Sequence, residues 1–300
     1  METGTELWTE ADAYQSPLVV ADGAVLVSRP AEGGGHTAHA LELRTGRARW
    51  DAPVERGFPV GIAEDAVLFM TPPSSATVAV RTEVRAVDAA TGRERWVHTI
   101  DGPSPTLWTD GQHIVLHQVG SDGDDNTVVA LDPGDGQERW RSVGPGFASG
   151  LEGGTLVVSM PDDGRDGPLV GLDAATGEQR WEGVPATVAS TGNNVLLMSD
   201  GLAYLQAPPL ADRVIDVATG EERWHHPAPD QPIRDNPVAL DGSTLVLDAE
   251  GSNDELIVVD LATGQPRTPI TLPPPTDDSY VSGVAVHDGS VYVTFGTGGR

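Results

Sequence analysis

The chain has 300 residues, with 45 acidic and 18 basic side chains, a net charge of −27 and no cysteine. The negative field repels phosphate backbones, so we expect no nucleic-acid partner. The missing cysteines exclude disulfides, thiolate metal sites and cysteine nucleophiles. The longest apolar stretch, near residues 17–27, is broken by Asp22 and Gly23 and is too short to cross a bilayer, so we expect no direct membrane insertion.

A ten-residue motif, Leu-Asp-x-x-Thr-Gly-x-x-x-Trp, recurs with a period of about 44 residues. A fixed period of this kind indicates a repeat architecture in which each copy is one supersecondary unit. The copies end at Trp8, Trp50, Trp96, Trp140, Trp181 and Trp224, and a degenerate copy ends at Thr268.

Each period contains four strand signals and no helix signal. A short apolar run is followed by a polar turn, often Asp-Gly, which favours a hairpin because such turns need positive φ. A second apolar run, a loop, a third run that enters the motif and a fourth run that contains its tryptophan complete the period. The first runs include Ser16–Ala21, Pro59–Ala63 and Pro237–Leu240, and the second runs include Ala24–Val27, Ala66–Phe69, His113–Leu116, Thr155–Val158, Asn193–Leu197 and Thr244–Leu247.

Four short strands per period predict an all-β, seven-bladed β-propeller of four-stranded antiparallel blades. We expect one domain over residues 1–300. Its predicted blades are approximately 9–50, 51–96, 97–140, 141–181, 182–224, 225–268 and 269–300 plus 1–8. The last blade lacks its own third and fourth strands, so we expect the N-terminal strand to join it and close the ring. The half motif at the N-terminus is also what would remain if a longer protein had been cut there. The alternative prediction is therefore that the chain is part of an eight-bladed propeller.

The motif copies resemble the pyrroloquinoline-quinone (PQQ) propeller repeat. That family includes quinoprotein dehydrogenases, the lipoprotein of the outer-membrane barrel assembly machinery and sensor domains of bacterial kinases. The resemblance covers the whole chain and implies WD40-like blades in which the motif tryptophan docks against the Thr-Gly turn of a neighbouring blade. It therefore implies a structural girdle of Trp8, Trp50, Trp96, Trp140, Trp181 and Trp224.

The resemblance leaves three functional readings. Quinoprotein dehydrogenases hold their quinone in the channel with calcium and a catalytic aspartate, and many stack it on a vicinal disulfide. This chain has no cysteine, and neither the aspartate nor the metal ligands map onto it, so PQQ is not expected and this reading is the least favoured. We favour a non-catalytic scaffold or sensor that binds a protein or ligand, as part of a larger bacterial envelope or signalling protein. The alternative is an enzyme of lyase or hydrolase type with a non-quinone site in the channel.

The loops show where a partner would bind. Short, uniform turns between strands 1–2 and 3–4 share one face of a propeller, and the longer, varied loops share the other. Variable loops on a rigid scaffold often carry binding, so we expect a protein or small-molecule partner at the long-loop face. The weak ligand candidates are Arg56, Trp108, His225, His226, Arg234 and Asp235. The alternative is that the charged and histidine residues are solvated loop side chains and that Trp108 packs in the core. The sequence does not identify catalytic residues.

Asp122, Asp124 and Asn126 have the spacing of the first ligands of a calcium loop. A glycine and a glutamate are required later in such a loop, and Thr127 and Pro133 stand there instead, so only an incidental calcium site is left open. We otherwise expect no cofactor and a monomeric domain. No signal peptide is visible, so the location is cytoplasmic if the chain is full length, whereas an extracytoplasmic location is favoured for a domain of an anchored or exported protein.

Overall fold

The computed structural model describes residues 19–21, 23–30, 36–54, 58–71, 81–102, 105–120, 125–160, 167–185, 196–205, 213–225, 236–241, 244–248, 255–261, 263–267, 269–272, 279–287 and 290–297. These residues form strands, turns and bends. None of them forms a helix, and hence none forms a helix that is long and apolar enough to cross a membrane.

The strands form six antiparallel sheets of four or five strands and one hairpin. The first sheet contains β1 (Val19–Ala21), β2 (Ala24–Pro30), β3 (His36–Glu42) and β4 (Ala48–Val54). The second contains β5 (Phe58–Ala63), β6 (Ala66–Met70), β7 (Arg81–Asp88) and β8 (Glu94–Asp101). The third contains β9 (Thr106–Thr109), β10 (Ile114–Gln118), β11 (Asn126–Leu131) and β12 (Glu138–Gly144).

The fourth sheet contains β13 (Phe147–Glu152), β14 (Thr155–Ser159), β15 (Pro168–Asp173) and β16 (Gln179–Pro185). The fifth contains β17 (Leu196–Ser199), β18 (Leu202–Leu205), β19 (Arg213–Asp216) and β20 (Glu222–His225). The sixth contains β21 (Asn236–Asp241), β22 (Thr244–Asp248), β23 (Glu255–Asp260), β24 (Gln265–Pro266) and β25 (Ile270–Thr271), and the hairpin pairs β26 (Ser279–His287) with β27 (Ser290–Thr297).

In each complete four-stranded sheet the strands pair in chain order, as the repeat predicts. The second strands β6, β10 and β14 are buried at every position, whereas the fourth strand β12 is half-buried or exposed at every position. A strand that is buried on both faces reads as a continuous apolar run, which explains why these segments lack a polar alternation. The apolar cores therefore lie around the inner strands of each sheet.

The motif tryptophans link consecutive sheets. Nε1 of Trp50 donates to the carbonyl oxygen of Ala89, 2.8 Å away, and the indole lies on Gly92 in the same turn of the second sheet. Gly92 has φ +72°, and a Cβ there would lie 2.8 Å from the indole, so both the backbone and the space require glycine. The other four described tryptophans of the motif donate in the same way, Trp96 to Pro133, Trp140 to Ala174, Trp181 to Val217 and Trp224 to Leu261.

One strand assignment from the sequence is wrong. The run 193–197 was expected to be a second strand followed by a loop, but Leu196–Ser199 is the first strand of the fifth sheet and Leu202–Leu205 is the second. The turn between them consists of Asp200 and Gly201, both with positive φ (49° and 77°), as a tight hairpin turn needs. The second strand is Leu-Ala-Tyr-Leu, which lacks the β-branched residues of the other copies.

The sixth sheet shows what the degenerate motif does to its fourth strand. Here β24 and β25 both pair with β23, and residues 267–269 separate them. Pro269, which lies between β24 and β25, has no N–H to donate to the ladder. The predicted closing strand, residues 1–8, lies outside the described residues, so the seven blades, their boundaries and the closure of the ring stay predictions.

The chain divides into two compact units, residues 1–145 with the turn Ala174–Gly177, and residues 146–173 with 178–300. The contact of Trp140 with Ala174 and Gly177 lies within the first unit. The fifth and sixth sheets, with the contacts of Trp181 and Trp224, lie within the second unit.

Candidate functional site

We call the end of each sheet that carries its 1–2 and 3–4 turns the turn end, and the opposite end the loop end. At the turn end of the second sheet, the motif residue Asp88 uses its two oxygens for different partners. Oδ1 accepts from the backbone N–H and the hydroxyl of Thr91, and Oδ2 accepts from Arg95 at 2.6 Å. The carboxylate therefore caps the turn and holds the arginine at once. Four other copies hold the same aspartate–arginine pair, Asp132 with Arg139, Asp173 with Arg180, Asp216 with Arg223 and Asp260 with Arg267.

A β-bulge places this arginine. Ala86 pairs with Trp96 and Val87 pairs with Glu94, so Arg95 is the extra residue on β8. A bulge redirects the side chain that it carries, and here it sends the guanidinium to the turn end. The same shift occurs at the arginine before the tryptophan in the first, third, fourth and fifth sheets.

The second sheet has the most complete cluster. Arg95 donates through Nη1 and Nη2 to both oxygens of Asp65 in the 1–2 turn, and through Nη2 to Asp88. Hydrogen bonds from Arg95, and then from Thr91, lower the pKa of Asp88 from 3.8 to about 2. The Arg95 guanidinium also lowers the pKa of Asp65, and the two carboxylates raise the pKa of Arg95. All three groups are therefore charged at neutral pH.

These clusters predict an acid-labile fold. The folded state holds Asp88 ionised more strongly than the unfolded chain does, so the stabilisation is complete above pH about 4 and is lost as the pH falls through about 2. Asp132, Asp216 and Asp260, whose pKa values are lowered chiefly by their arginines, shift stability in the same direction. We expect Asp88→Asn to lower the free energy of unfolding by about 1 kcal/mol at pH 7 and to flatten its fall below pH 4 in urea titrations.

The matched control for that variant is Asp101→Asn. Asp101 also pairs with an arginine, Arg81, but its side chain is 75% exposed, so we expect almost no change at pH 7. An equal loss in both variants would show that the turn-end pairs carry no special stability.

The sequence-predicted ligand residues are not brought together among the described residues. Trp108 lies on β9, half-buried, with its ring centroid 6.0 Å from that of His117. Burial lowers the pKa of His117. His225 is exposed at the loop end of the fifth sheet, with Nδ1 2.7 Å from Oε1 of Glu222. Arg56, His226, Arg234 and Asp235 lie outside the described residues.

The calcium candidate Asn126 holds a loop together. Its side chain is buried, Oδ1 accepts from the N–H of Gly120, and Nδ2 donates to the carbonyl oxygen of Pro145. Asp122 and Asp124 lie outside the described residues, as does Trp8. Among the residues that the structure describes, no group of three or more His, Asp and Glu side chains could hold a metal ion.

An open cleft of about 450 Å³ lies at the turn end of the fifth sheet. It combines an arginine, two aspartates and an apolar floor, so it presents both charges to a ligand. Its described lining is Asp200, Gly201, Leu202, Asp216, Ala218, Arg223 and Leu261.

Comparisons with known proteins identify the repeat. A family model described as outer membrane protein assembly factor BamB matches residues 1–142 and, in a second match, residues 124–299. The chain belongs to this BamB-like family of PQQ-type propeller repeats. No curated protein matches the sequence significantly.

Solved structures similar to this BamB-like chain show its fold. BamB from Moraxella catarrhalis is 17% identical, with 93% of this chain and 81% of that chain covered and a TM-score of 0.55. Sqt1 from Saccharomyces cerevisiae is 11% identical (94% and 80% covered, TM-score 0.58), and the β-propeller domain of Cps50 (Swd1) from Myceliophteria thermophila is 13% identical (94% and 91% covered, TM-score 0.56). At these identities the likeness shows the fold alone, which is a β-propeller.

Sequence reasoning missed the most repeated polar residue of this BamB-like chain. The position before the tryptophan is left open in the motif, although arginine fills it in six of the seven copies. These are Arg49, Arg95, Arg139, Arg180, Arg223 and Arg267. In these six copies the arginine follows an aspartate or glutamate by seven residues, and this repeated spacing is the signal that predicts the pair.

Proposed function

We propose that this BamB-like chain is a non-catalytic scaffold that binds another protein in the bacterial envelope. The family model that matches it is described as an assembly factor for outer membrane proteins, and such a role needs a binding surface rather than a reaction centre. In line with this, we propose an extracytoplasmic location, a monomeric domain and no bound PQQ.

The observation that carries the proposal is that the charged residues of the motif pair with one another and stabilise turns. In the second sheet Asp88 and Asp65 are held ionised on Arg95, and Asp88 also caps its turn. A carboxylate with such a low pKa is a poor proton donor or acceptor near neutral pH. The repeated chemistry of the chain therefore stabilises turns, which is what a scaffold requires.

We place the protein partner at the loop end. Five of the sheets repeat the same aspartate–arginine pair at the turn end, so this pair offers little to distinguish one partner from another. The connections at the loop end differ in length and composition, and varied loops on a rigid frame are a common basis of specificity.

A photo-cross-linking experiment tests the proposal. A photoreactive amino acid replaces His225, which is exposed at the loop end of the fifth sheet, and in a control replaces Arg93, which is exposed at the turn end of the second sheet. Both variants are irradiated with a solubilised envelope fraction of a Gram-negative bacterium. We expect one discrete cross-linked protein with the His225 variant and none with the Arg93 variant.

Two results would contradict the proposed function. The first is the same set of products from both positions, which would show contact without specificity. The second is a bound quinone, found by native mass spectrometry of the purified protein after incubation with PQQ and calcium, together with dye-linked turnover of an alcohol.

A further inference from the structure

We propose that the cleft at the turn end of the fifth sheet binds a carboxylate side chain of an acidic peptide on Arg223. This goes beyond the proposed function, because it concerns the turn end and not the loop end. It rests on a comparison of the fifth sheet with the second, in which the chain itself supplies that carboxylate.

In the second sheet the arginine lies between two aspartates. Arg95 contacts Asp88 from the 3–4 turn and both oxygens of Asp65 from the 1–2 turn, and its side chain is only 25% exposed. The two turns are also joined by the backbone, because the N–H of Ala89 donates to the carbonyl oxygen of Asp65 at 2.9 Å.

The fifth sheet has the same frame without the second aspartate. The N–H of Val217 donates to the carbonyl oxygen of Gly201 at 2.8 Å, so Gly201 stands where Asp65 stands in the second sheet. The preceding turn residues also match, since Asp200 and Glu64 both have positive φ (49° and 53°). The backbone differs at the second turn residue, because Gly201 has φ +77° and the φ of Asp65 is not positive.

Arg223 is consequently left half-satisfied. Within the described part of the chain, Asp216 alone accepts from it, through Nη2, and its side chain is 53% exposed. A guanidinium presents its donors as a planar fork that matches the two oxygens of a carboxylate. The donors that Asp65 takes from Arg95 therefore face the cleft from Arg223.

The shape of the cleft fits an amino-acid side chain. Its volume of about 450 Å³ lies within the range of sites for small ligands. Leu202, Ala218 and Leu261 add apolar surface, against which the methylene groups of a glutamate can pack while its carboxylate reaches Arg223.

The neighbouring aspartates do not prevent such binding. In the second sheet Asp65 lies beside Glu64 and opposite Asp88, and it still pairs with Arg95. Asp200 and Asp216 occupy the corresponding turn positions in the fifth sheet. A further carboxylate, Glu152, accepts from the N–H of Gly201 at 3.4 Å and is occupied by that contact. At an ionic strength of about 0.15 M the Debye length is about 8 Å, so exposed charges farther than this from the cleft are largely screened.

The test compares two peptides on uniformly ¹⁵N-labelled protein, acetyl-Gly-Glu-Gly-amide and its neutral twin acetyl-Gly-Gln-Gly-amide. We expect the glutamate peptide to shift the Nε–H resonance of Arg223 and the amides of Gly201 and Ala218, and the glutamine peptide to leave them in place. R223Q should weaken binding at least tenfold, as read from the two amides, whereas R95Q should not change it.

A variant that adds a carboxylate provides an independent test of the proposal. G201D places a carboxylate at the position that corresponds to Asp65, at the cost of an aspartate with φ +77°, and we expect it to exclude the glutamate peptide. Thermal melts followed by circular dichroism check that each variant is folded, and R223Q decides the question if G201D does not fold. Equal shifts with both peptides, or binding that survives in R223Q, would overturn the proposal. Preferential binding of acetyl-Gly-Arg-Gly-amide would also overturn it and assign the cleft to cations on Asp200.

Discussion

Replacement of Trp181 by alanine is expected to lower the free energy of unfolding by about 4 kcal/mol. The indole is only 9% exposed, and its N–H donates to the carbonyl oxygen of Val217 at 2.9 Å. It also fills the space next to two glycines, Gly171 and Gly220, where an added Cβ would lie 2.1 and 2.5 Å from the ring. Loss of the ring therefore opens a cavity between β15 and the turn of the fifth sheet.

Urea unfolding followed by far-ultraviolet circular dichroism measures this effect. Trp181→Phe separates the two contributions, because it keeps most of the apolar volume and removes the N–H, and it should cost about half as much. Trp108→Ala is the control outside the motif, and its half-buried ring should cost less than that of Trp181. Similar losses for Trp108 and Trp181 would mean that docking on the turn adds nothing to ordinary burial.

The second large effect is expected at the glycine on which that ring lies. Gly220 has φ +72°, so alanine there costs about 1 kcal/mol for the left-handed backbone alone. The added methyl group would also lie 2.5 Å from Cε3 of Trp181, and relief of that overlap costs about 2 kcal/mol more. We therefore expect Gly220→Ala to lower the free energy of unfolding by about 3 kcal/mol.

Gly201 provides the matched control in the same sheet. Its φ is +77°, but nothing lies within 4 Å of an added Cβ, so Gly201→Ala carries the backbone cost alone. The difference between the two variants isolates the contact with the indole. If both lose the same stability, the glycine of the motif is required for its φ and not for the close approach of tryptophan.

The repeat predicted most of the fold because its information is local. The Thr-Gly pair requires a turn, the apolar runs on either side require buried strands, and a period of about 44 residues has room for four of them. The error in the fifth sheet has the same origin. Asp200 and Gly201 form an ordinary hairpin turn, but the strand after it is short and lacks β-branched residues. The longer run before the turn therefore resembles a second strand more closely.

The bulge at the arginine was not predictable in this way. A bulge is a property of the hydrogen-bond register between two strands, and the letters of β8 do not show that Ala86 pairs with Trp96 while Val87 pairs with Glu94. The missing carboxylate at Gly201 is equally hidden, because it becomes visible only when the turns of two sheets are superposed. The predictions on Arg56, His226, Arg234 and Asp235 concern loops outside the described residues, about which the repeat motif carries no information.

The link between each tryptophan and the next turn also bears on how such a chain can lengthen or shorten. Trp50 belongs to one sheet and the turn around Gly92 belongs to the next, so neither sheet contains a complete contact. A segment that runs from just after one tryptophan to the end of the next contains one turn, which contacts the preceding indole, and one indole, which contacts the following turn. Gene duplication or deletion of such a segment keeps every contact paired. A segment that ends before its tryptophan would leave one turn without an indole. The position of the tryptophan therefore defines the segment that can be duplicated or deleted with every docking contact still paired.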